Sequence, residues 1–193
     1  MMHAQFERSV AYHCAPALVG LKPACLISLP AAEYPALPRL AAAYSRRLEK
    51  RGIRMEVLCR CRRRFLLLVC RPELLERCLR SPRVSGLLEE AGYPAGASPA
   101  ALLRCLSGRI AAGGGFPHEL GLFLGYPPED VVGFMTHGGS GCRLCGEWKV
   151  YQDVEGAMRQ FRKFALCRSA LCSRLERGRS LLDLLGAAER PAA

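Results

Sequence analysis

The chain has 193 residues, half of them apolar, with 28 Lys and Arg against 17 Asp and Glu, 11 Cys and a net charge of +11. That length can bury a real core in one domain, and 23% charged residues beside 50% apolar ones exclude a disordered or low-complexity chain. No apolar run reaches the roughly 18 residues of a membrane span. The first dozen residues lack the basic start and apolar stretch of a secretory signal, so a soluble cytosolic protein with cysteines mostly as thiols is the expectation.

In chain order, residues 4–12 read as a short helix, and 14–20 as a turn into a second short helix opened by Pro16. The apolar stretch 24–29, bounded by prolines, reads as a buried strand. Over 33–51 the residues Leu37, Leu40, Ala41, Tyr44 and Leu48 recur at helical spacing, and Gly52 stops the helix. IRMEVLCRC and RFLLLVCR predict two adjacent strands, a hairpin turning at Arg62 and Arg63. Helices follow over 72–79 and 84–91, then the linker GYPAGASP.

Beyond the linker the pattern is mainly helical. Ser98 caps a helix with Pro99 at its first position, running to about Ala112 and ended by the glycines at 113–115. Pro117 starts a helix containing HELGLFLG, Pro128 starts another, and CGEWKVY reads as a short strand. Asp153 caps a long helix to Arg177 whose face carries Val154, Ala157, Met158, Phe161, Phe164, Ala165, Arg168 and Leu171. Residues 180–185 close the chain. Strands early and helices late predict an α+β fold, a small mixed or antiparallel sheet of three to four strands covered by helices, with a helix-rich C-terminal half. Residues 1–186 are expected to form one domain, divisible into lobes 1–92 and 98–186, with 187–193 a frayed tail.

The charge is a weak guide to partners. Of the basic residues only Lys22, Lys50, Lys149 and Lys163 are Lys, so the Arg excess follows an Ala-, Gly- and Pro-rich composition such as GC-rich codons produce. The one dense cluster is Arg60, Arg62, Arg63 and Arg64, with Arg46, Arg47, Lys50, Arg51 and Arg54 upstream. Aromatic residues do not interleave with it as a base-stacking platform requires. It reads first as a solvated face, next as a site for a small anion or acidic partner, and last as a nucleic-acid surface.

The segments HCAPALVGLKPACLISL (13–29), HELGLFLGYPPEDVVGF (118–134), CGEWKVY (145–151) and FALCRSALCSRLERGRSLLDLL (164–185), in this order, resemble an uncharacterised bacterial family, a domain of unknown function common in anaerobic Gram-positive bacteria. The resemblance covers nearly the whole chain. It implies a cytosolic, single-family bacterial protein and brings no activity with it. Cys145 belongs to the family's CGxWKVY motif, whereas Cys142 departs from it.

Four constellations are candidates for chemistry. His118 and Glu119, after Pro117, are placed in a helix's first turn, where the dipole lowers a histidine pKa and suits it to act as base or ligand, although Glu there also simply stabilises. Position 122 is Leu, so no HExxH zinc arrangement exists. Gly121 and Gly125 permit close approach of a ligand or another backbone. Cys14, beside His13 and ahead of Pro16, would sit at a helix amino end where a thiolate is favoured; a quiet core thiol is the plainer reading. Cys142 and Cys145 have the form of half a zinc or iron site, with Cys167, Cys172 or His137 as non-standard completions. Trp148 and Lys149, with Lys22, suit a pocket for an anionic or planar ligand, against a simple core role. Three readings therefore stand. The first is a small-ligand or cofactor-binding protein with thiol-dependent enzyme activity through Cys14, His118 and Glu119. The second is a metal- or redox-associated protein using Cys145. The third is a basic interaction module.

Overall fold

The computed structural model describes residues 2–60, 63–113 and 115–186. Its centre is an antiparallel sheet of β1 (Ala24–Pro30), β2 (Arg54–Arg60) and β3 (Arg64–Cys70), in the order β1-β3-β2. The expected hairpin is thus present, although Arg62 lies outside the described residues. β3, the central strand, is the continuous apolar run because both its faces are covered. Phe65, Leu67 and Val69 enter one core with Cys25, Ile27, Leu29 and Met55, while Leu68 and Cys70 enter a second core with Ala24 and Leu58. The register of β2 slips between Val57 and Cys59. The carbonyl of Leu58 at this bulge accepts a hydrogen bond from Ser107.

The first core is closed by α1 (Met2–Leu18), α2 (Leu37–Leu48), α8 (Val154–Glu176) and α9 (Leu181–Gly186). The second is closed by α3 (Pro72–Leu79), α4 (Pro82–Glu90), α5 (Pro99–Ala112), α6 (Leu120–Phe123) and α7 (Pro128–His137). Each core draws on both halves of the chain. A separate hairpin, β4 (Leu144–Cys145) and β5 (Lys149–Val150), follows α7. Residues 187–193, expected to form a frayed tail, lie outside the described residues.

Most element ends obey the local rules. The five periodic residues of α2 are its five buried ones, and Gly52 caps the following 3-10 turn at φ 64°. Ser98 Oγ accepts from the backbone of Ala101, and Asp153 from that of Gly156. On α8, Ala157, Phe164 and Leu171 are buried as expected, but Met158 and Ala165 face solvent. No helix among the described residues is long and apolar enough to cross a membrane.

Three local expectations are corrected. α1 is one helix, with Pro16 inside its last turn. Proline removes the N–H that would bond the carbonyl of Tyr12, and the guanidinium of Arg168 on α8 takes that carbonyl at 2.7 Å. Nε and Nη2 of Arg71 bind the carbonyls of Ala17 and Leu18 at the same helix end. The helix expected from Pro117 shrinks to α6, because 117–121 close i to i+3 turns and Gly125 turns the chain at φ 72°. CGEWKVY is a hairpin whose turn is Gly146, Glu147 and Trp148. A Cβ on Gly146 would lie 2.2 Å from the Phe161 ring, so no larger residue fits there.

Candidate functional site

The hairpin tip separates two cavities that share Leu124 and Tyr126 as a wall. The larger, about 340 Å³, lies between α6, the start of α7 and the hairpin, and is lined mainly by apolar and aromatic side chains including Phe116, Phe134 and Trp148. His118, Cys145 and Lys149 add polar groups at its edge. Trp148 is held from three sides. Its Nε1 donates to Asp130 Oδ2 at 2.7 Å, Tyr126 stacks on it at 5.2 Å, and Phe161 meets it edge-on at 4.6 Å. Asp130 is buried, and its Oδ1 also accepts the backbone N–H of Tyr151 at 2.7 Å and of Gln152 at 3.3 Å. One carboxylate in the first turn of α7 therefore anchors the hairpin and presents the indole as a cavity wall.

His118 is exposed at the rim, edge-on to Phe134 at 4.9 Å. It lies in the turn before a four-residue helix and not, as the sequence predicts, in the first turn of a longer one. Lys149 Nζ donates to the carbonyl of Gly139 at 2.5 Å and lies 5.9 Å from the Phe134 ring centre. Gly121 lines the cavity, and a Cβ there would meet Val131 at 2.8 Å. Gly125 serves packing: its Cβ would strike the Pro23 ring at 2.5 Å. Glu119 does not line this cavity. Its Oε1 accepts from Tyr93 at 3.0 Å and from Arg109 at 3.1 Å, a buried network that fixes α5 to the turn before α6.

The smaller cavity, about 190 Å³, lies between α1, β1, the hairpin tip and α8. Tyr12, His13, Lys22, Cys25, Glu147 and Arg168 are its polar lining. Arg168 Nη2 pairs with Glu147 at 2.7 Å. Lys22 is 6% exposed, with Nζ 4.6 Å from the centre of the Tyr126 ring and 5.7 Å from that of Phe164. Burial lowers its pKa, while Cys25 and Glu147 hold it up. His13 is pushed down by partial burial and by Arg168, which favours the neutral ring.

Cys14 lines neither cavity. It is 0% exposed in the C-terminal half of α1, not at a helix amino end, and its thiol neighbours that of Cys25. The neighbouring Cys25 thiol, then burial, raises its pKa well above the ordinary thiol value. The geometry thus separates Cys14, His118 and Glu119 into a core position, a cavity rim and a structural network. Trp148, Lys149, Gly121 and His118 do share one cavity, and His13 and Lys22 share the other. Among the described residues no group of three or more His, Cys, Asp or Glu side chains could hold a metal ion, so Cys142 and Cys145 have no further ligands for zinc or iron.

Sequence reasoning missed Asp130, Tyr126, Cys25, Glu147 and Arg168. All five lay inside the quoted motifs, and Asp130 also carried the signal of a helix-start carboxylate. Nothing local singled out the other four, because their partners come from distant segments.

An α+β domain bearing an aromatic cavity and a cationic, thiol-bearing one on opposite sides of a small hairpin is what the fold and these sites define. The chain belongs to the family described as protein of unknown function (DUF3793), which it matches over residues 10–185, a span that includes every motif quoted above. No curated protein and no solved structure matches it.

Proposed function

We propose that this is a small-ligand-binding protein whose principal site is the Trp148 cavity, and that the ligand is flat, largely apolar and carries a hydrogen-bond acceptor. The observation that carries this reading is the fixing of Trp148 by the buried Asp130 while the indole still lines an open cavity. A tryptophan serving the core alone has no need of a wall left open to solvent, and a preformed, mostly apolar recess with a few placed polar groups is the usual form of a ligand site. His118 and Lys149 supply those polar groups, the first free to turn at the rim and the second held by Gly139.

The test uses the chain's single tryptophan as its own probe. A panel of planar heteroaromatic and aromatic carboxylate compounds is titrated against the intact chain while Trp148 emission is followed. A saturable change is expected for at least one compound, with a rise in melting temperature at the same concentrations. Replacing His118→Ala should weaken that compound about tenfold, close to 1.4 kcal/mol. A panel with neither a saturable signal nor a thermal shift would overturn the reading.

A further inference from the structure

The smaller cavity is unexplained by that reading and carries a chemistry of its own. Its charges do not balance. Glu147 is matched by Arg168, whose Nε also binds the Tyr12 carbonyl, and His13 is held towards neutrality. That leaves Lys22, more than nine-tenths buried, with aromatic faces about its ammonium and no hydrogen-bond acceptor among the described residues. An unmatched ammonium at the end of a buried side chain, open only to a small cavity, needs an anion. Two can serve: the thiolate of Cys25 in the same cavity, or an anionic group that enters from solvent.

We propose that Cys25 is a nucleophilic thiol whose cavity selects small electrophiles bearing a carboxylate or phosphate, with Lys22 holding the anionic group. The groups facing Cys25 are Cys14 and His13 from α1, Lys22 from the loop before β1, Tyr126 from the turn after α6, Glu147 from the hairpin tip and Arg168 from α8. Cys14 beside it, and then Lys22, hold the Cys25 thiol down at about 7 against the pull of burial. Cys14 is a positioning residue, since it neighbours Cys25 and does not line the cavity. In the reaction the Cys25 proton leaves to solvent, and the thiolate electron pair forms a carbon–sulfur bond. The leaving group departs with the pair of the bond that breaks, while Lys22 only binds.

Rate alone does not test this. At pH 7 a thiol of pKa about 7 is ionised about fifty times more than an ordinary one at 9.0, but its lower basicity costs about eightfold in nucleophilicity. Selectivity is the sharper readout. Iodoacetate and iodoacetamide alkylate thiols by the same displacement of iodide and differ in charge. The intact chain is treated with each under anaerobic conditions, and labelling is followed at each cysteine by peptide mass spectrometry. The exposed Cys145 of the same molecule reports the ordinary preference.

Cys25 is expected to prefer iodoacetate where Cys145 prefers iodoacetamide, and to gain reactivity with a midpoint near pH 7. Lys22→Gln should lower the iodoacetate to iodoacetamide ratio at Cys25 about tenfold. Cys14→Ala should raise the midpoint by removing the neighbour that holds it down. If Cys25 stays unlabelled, shows the ratio of Cys145, or keeps its ratio in Lys22→Gln, the proposal is overturned. Should Lys22→Gln fail to fold by circular dichroism, the ratio and midpoint in the unaltered chain decide. None of these readouts depends on a ligand in the Trp148 cavity, so the two readings fail separately.

Discussion

Asp130 shows how much one buried carboxylate can organise. It accepts from an indole and two backbone amides that follow it by 18 to 22 residues, so removing it leaves three part-buried donors unpaired at once. Asp130→Ala is expected to cost about 2–4 kcal/mol in urea unfolding and to change Trp148 emission in the folded state. Tyr151 is the opposite case. Its hydroxyl is the one buried side-chain polar atom without a partner among the described residues, while its ring stacks on His137 at 5.7 Å. Tyr151→Phe should therefore leave stability unchanged or raise it by about 1 kcal/mol, and a fall of that size in chemical denaturation would show a missed partner. At this scale the sequence disclosed residue types and little of their partners. Trp148 and Lys149 stood out by rarity. Cys25 looked like one more thiol in an apolar strand, because nothing in ACLISL reveals that a lysine three residues earlier folds over it.

Among the elements, legibility followed locality. α2 was readable because its period, its buried face and its glycine stop all lie within sixteen residues. α1 was misread at Pro16, where the local rule is sound and a guanidinium from α8 overrides it. This arrangement makes a prediction about coupling. Arg168→Ala should destabilise the chain by about 1–3 kcal/mol, losing the Tyr12 carbonyl and the Glu147 pair together. In a Pro16→Ala background, where residue 16 can bond that carbonyl itself, the same change should cost about 0.5–1.5 kcal/mol less. Equal costs in both backgrounds would show that the guanidinium does not compensate for the proline. The α+β class, by contrast, could be read because strand runs and helical periods separate cleanly along the chain.

For the whole molecule, the two numbers that dominate the composition acquire internal explanations. Arginine is spent on carbonyls: Arg51 binds that of Gly186, Arg64 that of Ser28, Arg71 those of Ala17 and Arg51, Arg109 that of Ala91, and Arg143 that of Gln152. A planar fork that stays charged closes several helix and loop ends at once, which Lys cannot match. The thiols set an alkaline limit. Burial pushes Cys70 up to about 12 from an ordinary 9.0, and raises Cys78, Cys167 and Cys172 in the same direction. Such groups stay neutral in the fold while the unfolded chain ionises them. Their contribution is therefore intact below pH 9 and is lost as pH rises towards 12. The urea midpoint should fall steadily above pH 9, and Cys70→Val should flatten that slope. Cys25 acts with the opposite sign: its depressed value adds stability above pH 9 that is lost as pH falls through about 7.

Arg168 reaches back across 156 residues to the Tyr12 carbonyl. The smaller cavity takes its floor from the first strand and one wall from nearly the last helix, so no partial chain contains it. On a ribosome, Cys25 would remain an ordinary thiol while most of the protein was being made, and would acquire its charged surroundings only after α8 had cleared the exit tunnel and docked. Nascent chains ending before α8 and chains extended by a linker long enough to carry residue 176 out of the tunnel should therefore differ in their discrimination between charged and neutral alkylating agents at Cys25, making the arrival of this chemistry a timestamp for the completion of folding.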